Sequence, residues 1–256
     1  MPELKELFGT EHPVAIVTGS GAKRVGNAVA RALAARGFHL VLHANRSLAD
    51  AEETVAELHR AGGQAIALAA DLTNEAAAHQ FVDSAHQHYG RLDVLVNCAA
   101  IWRSVPLEDV TANEVQRNFE INTLATFLCC QSAGLKMVAQ PTGGVIINIG
   151  DWAVARPYLN YAAYFPSKGA IPALTRDLAV ELASRNPRVR VNAILPGPVM
   201  LPPDLPREER DASIAGTLVK REGSPQHIAH AVMFLIENDF VTGVCLPVDG
   251  GRTIAS

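Results

Sequence analysis

The chain has 256 residues, 48% hydrophobic and 19% charged, a balance too apolar for a disordered chain and sufficient to bury a sizeable core. No run approaches the roughly 18 to 20 apolar residues of a membrane span, and the start, MPELKELFGTEHP, lacks a basic end followed by an apolar stretch, so the cytoplasm is the expected location. A net charge of -4 without any Lys/Arg block leaves no strong electrostatic claim on nucleic acid, and a small-molecule substrate is the expected partner.

Short apolar runs predict strands at 14–18, 40–43, 65–70, 92–97, 144–149, 189–195 and 244–248. Between them, helical patterns run over 27–36, 48–61, 74–89, 111–138, 163–183 and 225–237. The strands are almost continuously apolar, as strands buried on both faces of a parallel sheet are. This alternation predicts an α/β fold, a doubly wound parallel sheet of about seven strands with helices on both faces. Residues 1–256 carry no repeat or linker, so one domain is expected. A substrate flap is expected near 198–222, where 200–211, MLPPDLPREERD, reads as mobile. Cys98, Cys129, Cys130 and Cys245 lack paired C-x-x-C spacing and read as reduced, buried small hydrophobes, with no metal site.

The first strand runs through SGAKRVG into a helix starting near Asn27. Gly19, Gly21 and Gly26 allow a tight turn and close approach to a pyrophosphate, for which the helix N-terminus supplies free N–H groups. A fold that binds NAD usually places an acid after the second strand to hold the ribose hydroxyls. Here the sequence reads LHANRSLAD, with no acid before Asp50. Asn45, Arg46 and Ser47 stand there instead, with Arg24 in the turn, a set suited to a 2'-phosphate. NADP(H) is the expected cofactor.

Tyr164 and Lys168 form Y-x-x-x-K, which places phenol and ammonium on one helix face. There the cation is expected to lower the phenol pKa and make Tyr164 a general acid. With TGSGAKRVG, Asp71, NCAA at 97–100, Asn122, PGPV at 196–199 and VDGG at 248–251, all in order, the chain resembles the short-chain dehydrogenase/reductase family along nearly its whole length. The resemblance implies a Rossmann-type domain in which Tyr164 donates the proton, Lys168 holds the nicotinamide ribose and Asn122 orders a relay water. It also implies that Asp71 contacts adenine and that Val25, Leu72, Asn97, Ala99, Pro196 and Gly197 help to line the cofactor. A homotetramer built through helix pairs is a further implication.

Two departures point to a branch. The glycine turn is one residue longer than the family's usual T-G-x-x-x-G-x-G, and Asp151 stands thirteen residues before Tyr164, where most members have serine. Pteridine reductases are similar in the AKR-x-G turn, in that aspartate, in the H-x-x-R-S segment matched by His43, Arg46 and Ser47, and in an aromatic residue at Trp102. A carboxylate repels the oxyanion of ketone reduction but accepts hydrogen bonds from ring N–H and amino groups. The expectation is NADPH-dependent reduction of a pterin or dihydrofolate-like heterocycle, with Asp151 in catalysis and Trp102 as a stacking surface. The alternatives are a carbonyl reductase of 3-oxoacyl type and a non-catalytic NADP-binding regulator.

Overall fold

The structure, a computed structural model, describes residues 2–255. Its strands are β1 Val14–Thr18, β2 His39–Ala44, β3 Ala65–Ala69, β4 Val94–Asn97, β5 Gly144–Ile149, β6 Val189–Pro196 and β7 Cys245–Val248. They form one sheet in the order β3-β2-β1-β4-β5-β6-β7, with every pairing parallel. The strand order reverses between β1 and β4. In an open parallel sheet the crevice beyond that point is where ligands bind.

Successive side chains of a strand face opposite ways, and the sheet accordingly feeds two cores. Ala15 and Val17 of β1 enter the first. There α1 Leu4–Phe8, α2 Val25–Arg36, α3 Leu48–Arg60 and α9 Pro225–Glu237 contribute Phe8, Leu33, Leu58 and Ile228. Val14 and Ile16 enter the second, against α4 Glu75–Tyr89, α6 Ala125–Ala139 and α7 Tyr164–Ala183, which bring Phe81, Leu128, Met137 and Leu182. Arg190, buried in β6, donates to the carbonyls of Leu235 and Ile236 and so satisfies the end of α9. No helix among the described residues is long and apolar enough to cross a membrane, and none of their His, Cys, Asp or Glu side chains gather in threes to hold a metal ion.

Several boundaries differ from those expected. The first core includes α1, a helix too short to show periodicity, whose Phe8 packs edge-on against Phe38 at 5.9 Å. Helix α2 begins at Val25, so Val25 and Gly26 belong to its first turn. The single helix expected over 111–138 is two helices, α5 Ala112–Phe119 and α6, joined by a π turn at Glu120–Leu124. The flap carries a helix of its own, α8 Arg207–Ala215, and Arg210 ties it down by donating to Glu222 and to the carbonyl of Pro202, both at 2.8 Å. All four cysteines are free, but only Cys129 and Cys130 are buried, whereas Cys98 and Cys245 are half-buried.

Candidate active site

The C-terminal ends of β1 and β4 are joined by one hydroxyl. Thr18 Oγ1 accepts from the backbone N–H groups of Cys98 and Ala99 at 3.0 and 3.1 Å. Directly after it, Gly19 adopts φ +63, and a side-chain carbon there would fall 2.7 Å from the backbone of Ala99. Its N–H donates to Nδ1 of His43 at 3.1 Å, while Nε2 of the same ring bonds the carbonyl of Ala70 at 3.0 Å. One buried imidazole thereby fastens the glycine turn to the ends of β2 and β3. Burial lowers the His43 pKa, and the ring works here as a neutral Nε2–H tautomer that accepts through Nδ1.

The remainder of the turn fits a dinucleotide. Gly21 approaches Ser47 so closely that a side-chain carbon would meet its Oγ at 2.6 Å, and the first turn of α2 receives no side-chain cap from Arg24. Uncapped N–H groups at a helix N-terminus, with a surface that only glycine permits, suit a pyrophosphate. Arg24, Asn45 and Arg46 are exposed beside it, and Ser47 is half-buried. Asp71 is also exposed, its carboxylate accepting from the N–H and hydroxyl of Thr73, which hold its pKa below the usual range; Arg46 lies close enough to lower it further. Leu72 beside it is buried. Pro196 ends β6, and Gly197 follows under the backbone of Asp249.

Asn97 is spent internally. Its amide donates to Asn148 Oδ1 at 3.0 Å, and Asn148 donates to Thr175 Oγ1 at 3.1 Å, a buried chain from β4 through β5 to α7. The π turn has a comparable cause. Asn122 accepts from the N–H of Ile101 at 2.9 Å and donates to Ser167 Oγ at 3.0 Å, and its carbonyl accepts the Thr126 hydroxyl at 3.0 Å. The extra residue turns Asn122 inward, where it holds the loop after β4 against α7.

Tyr164 opens α7 and is buried, as is Lys168 one turn on. The phenol donates to Asp151 Oδ2 at 2.8 Å, and the other carboxylate oxygen accepts from the N–H of Ala153 at 2.8 Å. Lys168 Nζ donates to the carbonyl of Ile149 at 2.7 Å. Burial pushes the Tyr164 pKa well above 10, and the Asp151 charge raises it further. The expected lowering by Lys168 is therefore not found, because the ammonium is turned to a backbone carbonyl while burial and then the Asp151 charge raise the phenol. Burial likewise raises Asp151 and lowers Lys168 to about 8, each countered by the other's charge. The three groups share one positive and one negative charge and a short proton path in a poorly solvated site.

Aromatic rings form the adjoining wall. Trp102, 38% exposed, stacks on Tyr161 with centroids 5.1 Å apart and planes 18° off parallel. Tyr158 meets Tyr161 edge-on at 5.0 Å and Phe165 at 4.9 Å. Of these rings, Trp102 is singled out from the sequence and Tyr161 is not. Four aromatics within the eight residues 158–165 were the available signal.

Residues 21–253 match the family model described as enoyl-(acyl carrier protein) reductase. The chain is a short-chain dehydrogenase/reductase. Membership makes it an oxidoreductase that uses a nicotinamide cofactor. Among relatives in this family, granaticin polyketide synthase putative ketoacyl reductase 2 of Streptomyces violaceoruber is 38% identical over 94% of this chain and 96% of its own. Pteridine reductase 1 of Leishmania tarentolae is 33% identical, with the same two coverages. Among solved short-chain dehydrogenase/reductase structures, a blue fluorescent protein from a metagenomic library, in complex with NADPH, superposes with a TM-score of 0.86 at 35% identity, covering 94% of this chain and 97% of that one. A 7α-hydroxysteroid dehydrogenase complexed with NADH and 7-oxo glycochenodeoxycholic acid reaches 0.87 at 32% identity, covering 96% and 94%.

Proposed function

We propose that this oxidoreductase uses NADPH to reduce a C=N bond in a pterin or dihydrofolate-like heterocycle. The observation that carries the reading is the Tyr164 phenol donating to Asp151. A hydroxyl group in place of that carboxylate would donate to a developing oxyanion, whereas the carboxylate repels it and accepts from ring N–H or amino groups. NADPH held by the glycine turn would supply the hydride to the ring carbon, leaving as oxidised NADP. Tyr164 supplies the matching proton to the ring nitrogen, Asp151 orients the phenol and the ring, and Lys168 keeps the local charge balanced and offers its remaining protons to the ribose. Trp102 and Tyr161 form the flat surface. Preference for the phosphorylated dinucleotide rests on Arg46 and Ser47 standing after β2 where an acid would hold unphosphorylated ribose, with Arg24 nearby.

The second reading is a carbonyl reductase of 3-oxoacyl type, favoured by the ketoacyl reductase relative. The experiment that separates them measures turnover of dihydrobiopterin, dihydrofolate and a 3-oxoacyl thioester with NADPH and with NADH. Pterin turnover with a preference for NADPH supports the first reading; robust thioester reduction without pterin turnover overturns it. Assembly as a homotetramer, in the cytoplasm, completes the proposal. The assembly is supported by the apolar Leu135, Val180 and Phe234 left exposed on α6, α7 and α9, and is read by sedimentation.

A further inference from the structure

Four cationic side chains adjoin the aromatic wall, and three have acceptors. Arg103 pairs with Glu114 at 3.8 Å, Arg156 donates to the carbonyls of Arg252 and Ala255, and Lys168 donates to Ile149. Arg252 differs. Its guanidinium carbon lies 5.1 Å from the centre of the Trp152 ring, its Nε is buried without a hydrogen-bond partner, and no carboxylate among the described residues pairs with it. The flap makes room for it: at Gly216, the residue that ends α8, a side-chain carbon would fall 1.5 Å from a guanidinium nitrogen. Its charge is felt at the Tyr158 hydroxyl, a member of the wall. The guanidinium is thus wedged between the flap and the residue directly after Asp151.

A cation taken partly out of water with no acceptor among the described residues is costly unless an anion reaches it. Guanidinium is the side chain whose fork matches a carboxylate or phosphate. We propose that Arg252 receives the anionic tail of the substrate, a carboxylate or phosphate group carried beyond the reacting ring or carbonyl. This deepens the functional reading above and rests on it for the location of the reacting group. The reacting end lies against Tyr164 and Asp151, the body of the substrate crosses the aromatic wall, and the tail ends under the flap.

The test compares two pairs of substrates with saturating NADPH: dihydrofolate, which carries carboxylates, against neutral dihydrobiopterin, and acetoacetyl-coenzyme A, which carries phosphates, against neutral ethyl acetoacetate. In Arg252→Gln the KM of the anionic member of the pair that turns over rises roughly tenfold, as loss of a charge-assisted contact requires, while the neutral member shifts less than about twofold and kcat holds. Arg252→Lys recovers part of the loss. An equal shift in both members, or none, overturns the proposal even if pterins prove to be substrates. If only the thioester pair turns over and shows the selective rise, the pterin reading falls and the role of Arg252 stands. Quenching of tryptophan fluorescence by folate and by biopterin repeats the comparison without turnover; failure of the substitution to weaken folate selectively there also overturns the proposal.

Discussion

Tyr164 and Asp151 hold one proton between them at 2.8 Å, the carboxylate raising the phenol's pKa where a serine hydroxyl would leave it unopposed. In the proposed reaction this pairing makes the acid a phenol and carboxylate together. Tyr164→Phe removes the proton donor and little volume, so turnover falls by about 10²- to 10⁴-fold while NADPH still binds, as measured by nucleotide fluorescence. Asp151→Ser removes the charge that disfavours an oxyanion. In that variant pterin turnover drops and thioester reduction rises, and the ratio of the two kcat/KM values is the quantity to follow.

Arg46 is exposed beside the glycine turn, close enough to Asp71 to lower that carboxyl's pKa. Arg46→Ala raises the KM for NADPH roughly tenfold or more, the worth of one hydrogen bond to a charged group, and leaves that for NADH nearly unchanged. Equal effects on both nucleotides in steady-state assays would remove Arg46 from the phosphate site.

His43 links stability to pH. Burial lowers its pKa from 6.5, so the unfolded chain takes up a proton that the folded one resists. The stabilising contribution is complete above pH 6.5 and is lost as pH falls from there through the lowered folded value. Melting temperature measured from pH 8 down to pH 5 therefore declines across that window. His39, lowered by its own burial, adds to the slope. His43→Asn can accept and donate in place of the ring without titrating, and it flattens the slope by the His43 share; an unchanged slope would contradict this assignment.

Trp102 stacks on Tyr161 yet keeps more than a third of its surface in solvent, leaving a surface for a ligand ring to cover. Trp102→Ala weakens pterin binding by about 1 to 3 kcal/mol in a calorimetric titration, while melting temperature moves little.

Local signals located much of this site. The order of apolar runs and helical periods gave the sheet and both helix layers, because parallel strands buried on two faces have few alternatives. Tyr164, Lys168 and Asp151 were visible as residue types at helical or loop spacing, and the structure brings Tyr164 and Asp151 into contact. What spacing could not show was the direction of influence: Lys168 turns to the Ile149 carbonyl, and burial together with Asp151 raises the phenol. The π turn was equally hidden, since ANEVQRNFEINTLATFLCC contains no proline or glycine, and the offset comes from the distant Ile101 and Ser167 gripping Asn122. Arg252 gave no signal at all, because its neighbours Trp152 and Gly216 are far from it in sequence.

The π turn also divides labour along what would otherwise be one rod. Inserting one residue shifts angular phase by about 100° between the segments on either side, so α6 can keep Leu128, Cys129 and Met137 on the sheet while α5 answers to different neighbours. The insertion acts as a phase adjuster with two independent settings. Deleting a single residue from 120–124 would preserve helical propensity and composition, yet it would force one half or the other out of alignment. Length in this segment is thus constrained to the residue, although its chemistry looks permissive.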